Sequence, residues 1–311
     1  MSSEPIVFLQ EHAMNNVSRS LYLMCVVLWL ATLAGLPALH SAHAGGAWGS
    51  EETVRIVAFL GAFAGTIALV AGLGIEVSGT PLGLIESGRN TFSLSRLQMA
   101  MWTVLILSAL MAVAVCRGWG LIGKASWSTA LNIDIPDELF EVMGISFFSA
   151  AAVPSILALK SQPSLTPTQA QLDASRVRSG ETTLGAMGSV IQRPLSEDPR
   201  LSDLVQGDDV ATAGTIDLSK VQQLLITVLL ITVYFVMLVN LFHTGSAVGP
   251  VVADTTNMPP FTPKFVNLLA LSHAGYLVYK AAPRTAPDPA TPSSLSMTPR
   301  PSPPDRDALS N

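Results

Sequence analysis

The chain has 311 residues, of which 49% are hydrophobic and 13% are charged, and its formal net charge at pH 7 is −5. Its mean hydropathy is +0.46, and ordinary soluble domains carry about 25% charged residues. The composition therefore excludes an ordinary soluble domain and predicts a membrane protein.

Five segments contain no Asp, Glu, Lys or Arg and are 18 to 22 residues long. A helix needs roughly 20 apolar residues to cross the hydrocarbon core of a bilayer. The five predicted spans are residues 21–39, 56–75, 97–116, 142–159 and 221–242. A sixth segment, residues 265–279, is shorter and contains Asn267 and His273, and its match to the fourth span through an internal repeat adds it as a span. The predicted fold class is an all-α integral membrane protein, a six-span helical bundle.

The first span has a second interpretation, as a secretory signal. Residues 21–36 would be its apolar core, and cleavage would follow Ala44. Against this, the leading segment, residues 1–20, is long and contains a single basic residue. We favour an uncleaved first span, which forms a first helical hairpin with the second span over residues 21–75.

The second span carries a face of small residues. Gly61 and Gly65 are four positions apart, and Ala58 lies on the same side. Such faces let helix backbones approach closely. We expect this face to pack against another helix or against another copy of the chain.

The strongest pattern in the sequence is an internal repeat. Residues 92–98 match residues 216–222 at an offset of 124, and residues 144–146 match residues 270–272 at an offset of 126. A match at a nearly fixed offset across two apolar segments indicates internal duplication. The sequence therefore predicts a duplicated helical hairpin, formed by spans 3 and 4 and again by spans 5 and 6. The two copies are residues 92–159 and 216–280.

Each copy begins with the pattern Ser/Asp-Leu-Ser-Arg/Lys-x-Gln. Ser93 and Asp217 occupy its first position, and both residue types are strong N-caps that bind exposed amides at the start of a helix. We expect each to cap its helix where that helix enters the membrane.

The basic and amide residues of this pattern form the predicted interface: Arg96 and Gln98 in the first copy, and Lys220 and Gln222 in the second. A cation near a helix N-terminus opposes the helix dipole and needs another partner. One interpretation is contact with lipid phosphates at the cytoplasmic interface. The alternative is that both copies form one cytoplasmic surface that binds a protein partner.

Basic residues predict the orientation in the membrane. With six spans, 13 of the 17 Lys and Arg residues fall on one side, and that side is expected to be the cytoplasm. Both termini would then be cytoplasmic. Two polar segments on this side lack an apolar period and are predicted to be largely disordered, the connection 160–215 and the Pro-rich tail 281–311.

The sequence shows no established catalytic pattern. No His-Glu-x-x-His, Gly-x-Ser-x-Gly or Cys-x-x-Cys occurs. We therefore expect no enzymatic activity, no metal and no cofactor. His273 lies in the middle of the sixth segment, and an ionisable residue there is a functional candidate by default. A neutral histidine that bonds to a neighbouring helix accounts for it equally well.

Three stretches resemble motifs of uncharacterised bacterial multi-pass inner-membrane proteins. They are Ser-Leu-Ser-Arg-Leu-Gln-Met-Ala-Met-Trp (93–102), Met-Gly-Ile-Ser (143–146) and Asp-Leu-Val-Gln-Gly-Asp-Asp (203–209). The resemblance covers residues 92–280, and the second copy departs from it at Ile226 and Ala270. It implies a location in the bacterial cytoplasmic membrane and supplies no activity.

The expected function is that of a non-enzymatic membrane anchor or assembly subunit that recruits a cytoplasmic protein or multiprotein complex. The alternative is a small channel or transporter that uses the seam between the two hairpins, which would need polar residues that converge in the membrane. The expected partners are membrane lipids and a cytoplasmic protein, with no nucleic acid. A homo-oligomer is left open.

Overall fold

The structure is a computed structural model that describes residues 4–35, 50–123, 127–245 and 256–284. Side chains are described from residue 16 onward, except those of residues 256 and 257. The alternative cleavage site after Ala44 and the tail from residue 285 onward lie outside the described residues.

The described residues form seven α-helices, numbered here in chain order. They are α1 (Glu4–Leu30, followed by a π-helical turn, Ala31–Gly35), α2 (Glu51–Ser78), α3 (Leu94–Gly118), α4 (Asp137–Lys160), α5 (Gln169–Ser179), α6 (Leu218–Thr244) and α7 (Pro263–Ala281). Four short strands accompany them: β1 (Ile133–Asp134), β2 (Gly185–Met187), β3 (Val190–Gln192) and β4 (Thr256–Asn257). The fold is mostly helical, as predicted.

Five of the described helical segments are long and apolar enough to cross a membrane. They are Asn16–Gly35, which includes the end of α1, and helices α2, α3, α4 and α6. These segments identify a multi-pass membrane protein, in agreement with the composition. Helix α7 has 19 residues and does not belong to this set, so the sixth span remains a prediction.

The main apolar core lies between α2, α3, α4, α6 and α7. The rings of Phe59 and Phe242 stack with their centroids 4.8 Å apart, and those of Tyr234 and Phe261 with theirs 4.9 Å apart. The outer faces of the same helices are also apolar, and Phe147 of α4 is 66% exposed. Helices that are apolar on every face are typical of a bundle surrounded by lipid.

Helix α1 packs against the small-residue face of α2. A Cβ atom on Gly61 would lie 2.9 Å from Thr32 Oγ1, and one on Gly65 would lie 2.6 Å from Trp29 Cδ1. Both glycines therefore permit a close approach of two helices. In this structure, the face that the sequence assigned to close packing meets a helix of the same chain.

The loops that join α3 to α4 and α6 to α7 meet at one end of the bundle. Strands β1 and β4 pair in parallel there, and the N–H of Met258 donates to the carbonyl of Asp134 at 2.9 Å. At the same end, the buried guanidinium of Arg55 donates to the carbonyls of Phe242 and His243 at the end of α6. These bonds satisfy carbonyls that a helix leaves free at its C-terminus.

At the other end of the bundle, the connection between α4 and α6 is folded, so the prediction of disorder for residues 160–215 is wrong. It contains α5, whose N-cap residue Thr168 forms a capping box with Gln171. The antiparallel β2–β3 hairpin and two 3₁₀ turns follow, Leu201–Leu204 and Val210–Thr212. We call residues 160–215 the platform.

The platform folds partly around buried charges. The guanidinium of Arg193, 1% exposed, lies 2.8 Å from Glu181 and 2.6 Å from Asp203. Burial lowers the pKa of Arg193, but hydrogen bonds to both carboxylates outweigh it and raise that pKa above its ordinary value. A small apolar cluster adds to this core, made of Leu184, Ile191, Val210 and Ala213. Composition alone predicts disorder here, because the segment has few apolar residues. Buried ion pairs replace part of the missing apolar burial, and composition does not reveal them.

Candidate functional site

The platform meets the membrane helices at the carboxylate of Asp208. This side chain lies 3.1 Å from Arg89, 3.0 Å from Lys220 and 2.6 Å from Lys280. The three cations come from the segment between α2 and α3, the first turn of α6 and the last turn of α7. One platform residue thus bonds to three separate parts of the helical bundle.

The cations around Asp208 are held by further hydrogen bonds. Arg89 donates to the carbonyl of Ile191 in β3 at 3.0 Å. Lys280 donates to the hydroxyl of Tyr276, one turn earlier in α7, at 2.9 Å. These bonds fix the positions of the charges, so the cluster is pre-organised.

The environment of Asp208 keeps its side chain ionised. Burial by itself raises the pKa of the carboxyl, because the charged form loses its hydration. The charges of Lys220, Lys280 and Arg89 oppose burial and hold that pKa well below the ordinary value of 3.8. Asp208 is therefore negatively charged at neutral pH, although its side chain is only 13% exposed.

The neighbouring carboxylate, that of Asp209, ties the platform to α4. It lies 2.8 Å from Nζ of Lys160 in the last turn of α4, and the two side chains are 7% and 9% exposed. It also lies 3.9 Å from Nε of Arg284, just after α7. Removal of one partner would leave a buried charge unpaired, at a cost of about 3–5 kcal/mol, so the docked position of the platform depends on both aspartates.

A cavity of about 370 Å³ opens beside Asp208. The charged side chains in its lining are Arg89, Arg96, Asp208, Lys220 and Lys280, which together carry a net charge of +3. The rest of the lining combines hydroxyl groups with apolar side chains, many of them from α4. A cavity with this excess of positive charge favours an anion.

The two predicted N-caps differ. The carboxylate of Asp217 accepts hydrogen bonds from the N–H groups of Ser219 at 3.0 Å and Lys220 at 3.4 Å, as expected of a cap. Ser93 occupies the N-cap position of α3 but makes no capping hydrogen bond. Its hydroxyl lies 3.2 Å from that of Ser95 instead.

The four residues of the predicted interface do not form one surface. Gln98 is fully buried and Lys220 is 2% exposed, whereas Gln222 is exposed. Arg96 is half-buried and donates to the carbonyl of Glu86. The prediction of a shared docking surface is therefore wrong, because two of its members lie inside the protein. Only Arg96 and Lys220 meet, as part of the cavity lining.

Gln98 belongs instead to a polar cluster between α3, α6 and α7. Its side-chain N–H donates to the hydroxyl of Thr227 at 2.6 Å, and its oxygen accepts from Nε2 of Gln223 at 2.7 Å. The same nitrogen of Gln223 lies 3.3 Å from Nδ1 of His273, which is 3% exposed. His273 thus contacts a neighbouring helix within a buried polar group.

The partner of Gln98 is Gln223, whereas the sequence repeat aligns Gln98 with Gln222. Buried positions along α3 recur along α6 at a separation of 125 residues. The pairs are Gln98 and Gln223, Trp102 and Thr227, Leu105 and Leu230, Ala109 and Tyr234, Val113 and Leu238, and Cys116 and Leu241. A shift of one residue turns a helix by about 100°, so Gln222 points out of the interface.

Sequence reasoning did not identify Asp208 and Asp209 as site residues. Aspartates are seldom buried, so two consecutive aspartates in the polar segment between α4 and α6 are expected to be exposed to solvent. Lys280, at the end of an apolar segment, has the sequence pattern of a cation at the membrane interface. One signal for an acidic partner was present in the sequence: basic residues occur at the ends of several predicted spans on one side of the membrane.

The described residues contain no group of three or more His, Cys, Asp or Glu side chains placed to hold a metal ion. Comparison with known proteins gives no significant match to a protein-family model, a curated protein or a solved structure. Any functional assignment must therefore follow from the geometry of the chain itself.

Proposed function

We propose that the chain is a non-enzymatic, six-span protein of the bacterial inner membrane that presents a rigid cytoplasmic platform to a protein or multiprotein complex. The observation that carries this proposal is the attachment of the platform. Asp208 bonds to cations from three segments, and Asp209 bonds to the end of α4. A platform held in this way presents one pre-organised surface, which lowers the cost of binding a folded partner.

The position of α7 in the bundle supports a sixth span. One side of α7 is buried next to α4 and α6, and includes Val266, Leu269 and Tyr276. Leu271 and Val278 on its other side are 73% and 72% exposed. Nineteen residues of helix measure about 28 Å, close to the roughly 30 Å of the hydrocarbon core.

The starting residues of the helices support the duplication. Helices α3 and α6 begin 124 residues apart, and α4 and α7 begin 126 residues apart. These are the two offsets that relate the sequences of the hairpins. Strands β1 and β4 also occupy equivalent places, shortly before the second helix of each hairpin.

The distribution of positive charge supports a cytoplasmic platform. The side that holds the platform has 13 of the 17 basic residues. Five of them gather where the platform meets the helices: Arg89, Arg96, Lys160, Lys220 and Lys280. Such a bias is typical of the cytoplasmic face of membrane proteins.

The exposed surface of the platform offers apolar side chains to a partner. Val177, Leu195 and Leu201 are 85%, 90% and 65% exposed. Burial of exposed apolar surface on association is favourable, by roughly 25 cal/mol per Å² removed from water. These three positions are the natural sites for a test.

Site-specific photo-crosslinking in native membranes tests recruitment. A photoreactive amino acid at Leu195 should form an adduct with a cytoplasmic protein, whereas the same probe at Val278, on the lipid-facing side of α7, should not. Leu195→Glu should then weaken recovery of that protein. Ser196→Glu is the matched control, because it adds the same charge at the adjacent exposed position and should leave recovery unchanged. Probes at Val177, Leu195 and Leu201 that all fail to capture a protein would contradict recruitment by the platform.

A channel or transporter is the second candidate, because polar side chains converge in the interior of the bundle. Gln98, Gln223, Thr227 and His273 are each at most 3% exposed, and Oε1 of Gln223 has no hydrogen-bond partner among the described residues. Flux of an ion or small polar solute through liposomes that contain the chain, abolished by His273→Phe, would favour transport. Liposomes that stay impermeable would favour the anchor.

A further inference from the structure

We propose that the cationic cavity beside Asp208 binds the phosphate of an anionic phospholipid, with an acyl chain of that lipid along the seam between α3 and α4. The chemistry that the cavity recognises is a negatively charged phosphate ester, and the apolar seam beside it assigns that ester to a lipid. The site goes beyond the proposed recruitment of a protein and needs no protein partner.

The charge of the cavity is not balanced by its own residues. Arg89, Lys220 and Lys280 share the single carboxylate of Asp208, and Arg96 donates to a neutral carbonyl. Charges that lie away from bulk water are unfavourable unless they are paired. An anion with several oxygens would pair with the cations that Asp208 leaves in excess.

Neighbouring carboxylates are occupied by other contacts. Asp209 pairs with Lys160, and Asp203 pairs with Arg193. Asp217 accepts hydrogen bonds at the start of α6. Asp217 is not paired with a cation among the described residues, so counting its charge lowers the excess from +3 to +2, and the cavity stays positive.

The first turn of α3 borders the same cavity through Ser93, Leu94 and Arg96. Ser93 makes no capping hydrogen bond, whereas the equivalent residue of the second hairpin, Asp217, caps α6 with a carboxylate. A phosphate in the cavity would place negative charge near the positive end of the α3 dipole, as Asp217 does for α6.

A second cavity, of about 450 Å³, lies between α3 and α4 and farther from the platform. Its lining includes Met99 and Thr103 of α3 and Gly144 and Phe147 of α4. Thr103 follows Arg96 by seven residues in α3, a rise of about 10 Å. The hydrocarbon region of one leaflet is about 15 Å thick, so this second cavity lies at the depth of acyl chains in the same leaflet.

A lipid matches these cavities better than a soluble phosphate does. The wall of the cationic cavity includes Val153, Pro154 and Leu157 of α4. Contact with these apolar side chains does not stabilise a hydrated phosphate ion. The next cavity along the seam is open to the surroundings, because Gly144 is exposed and a Cβ on it would meet no atom within 4 Å. Anionic lipids are abundant in the cytoplasmic leaflet, where the proposed orientation places the site.

Native mass spectrometry of the purified full chain in a neutral detergent tests the site, with phosphatidylglycerol, phosphatidylcholine and inorganic phosphate as probes. We expect the unmodified chain to retain phosphatidylglycerol in preference to phosphatidylcholine. Arg96→Gln should weaken binding of phosphatidylglycerol roughly fivefold, because this is the contribution of one Lys or Arg to the attraction of anionic lipid. Lys264→Gln is the matched control, since it removes an exposed cation at the opposite end of the bundle.

A second pair of variants tests the acyl chain. Gly144→Leu fills the seam between α3 and α4 and should weaken binding of phosphatidylglycerol. Gly275→Leu is its control, because Gly275 lies in α7 and an added Cβ would likewise meet no atom within 4 Å. Equal retention of phosphatidylglycerol by Arg96→Gln and Lys264→Gln, or no preference over phosphatidylcholine, would overturn the site. Full displacement of the lipid by inorganic phosphate, with no effect of Gly144→Leu, would overturn its assignment to a lipid.

Discussion

Nζ of Lys280, in the last turn of α7, lies 2.6 Å from Oδ2 of Asp208, which precedes it by 72 residues. Lys220, in the first turn of α6, lies 3.0 Å from the same oxygen. A connection between two membrane helices is thereby joined to the first turn of α6 and to the last turn of α7, at the same end of the helical bundle. Docking of the platform should therefore depend on this carboxylate.

Asp208→Asn should release the platform from the helix ends. The change leaves Arg89, Lys220 and Lys280 without a counter-charge, and breaking a buried ion pair from one side costs about 3–5 kcal/mol. Limited proteolysis of the purified protein should cleave the platform faster than in the unmodified chain. Asp198→Asn, at an exposed platform position, should not change the rate. Equal resistance of both variants would show that the ion pairs do not hold the platform.

Acid should release the platform as well. Burial raises the pKa of Asp208, but the surrounding cations outweigh it, so the folded-state pKa lies well below 3.8. A group with a lowered pKa contributes its full stabilisation above its unfolded-state pKa, and that contribution is lost as the pH falls below it. Protection from proteolysis should stay constant from about pH 8 to pH 5 and decrease below about pH 4. The decrease should be smaller in Asp208→Asn, and an identical decrease would assign the pH dependence to other groups.

The sequence was sufficient to place the membrane helices. The predicted spans 97–116 and 221–242 lie within α3 (Leu94–Gly118) and α6 (Leu218–Thr244), because length and lack of charge largely determine such segments. The inward-facing side of each helix was harder to predict. The repeat aligns Gln98 with Gln222, yet packing buries Gln223.

The platform could not be predicted, because its order depends on charges that are far apart in the sequence. Arg89 and Asp208 are 119 residues apart, and Lys160 and Asp209 are 49 residues apart. Each of these residues, considered alone, is of a type that is usually exposed to solvent. Only their placement in three dimensions shows that they are paired.

Gln223→Leu should destabilise the bundle by about 1–3 kcal/mol, because it leaves polar atoms of Gln98 and His273 buried with fewer partners. Thermal unfolding in detergent measures the effect. Gln222→Leu is the matched control at an exposed position and should have little effect. The double variant Gln98→Leu/Gln223→Leu should lose less stability than the sum of the single changes, since the two residues share a hydrogen bond. A strictly additive result would contradict the coupling.

Gly65→Leu should disturb the packing of α1 on α2. A Cβ at Gly65 would lie 2.6 Å from Trp29 Cδ1, and overpacking of this kind costs about 1–3 kcal/mol. Gly275→Leu introduces the same side chain in α7, where the space is open. The melting temperature should fall for Gly65→Leu alone, and equal melting of the two variants would contradict the close contact.

Accessibility of cysteines in the platform tests the account most directly, in a chain whose Cys25 and Cys116 have been replaced by Ala. Ser175 in α5 is fully buried, and Ser196 is exposed. In inside-out vesicles, an impermeant maleimide should label Ser196→Cys rapidly and Ser175→Cys only after denaturation, whereas intact cells should show no labelling of either. Labelling of Ser196→Cys in intact cells would contradict the cytoplasmic orientation, and equal labelling of both positions in vesicles would contradict a folded platform.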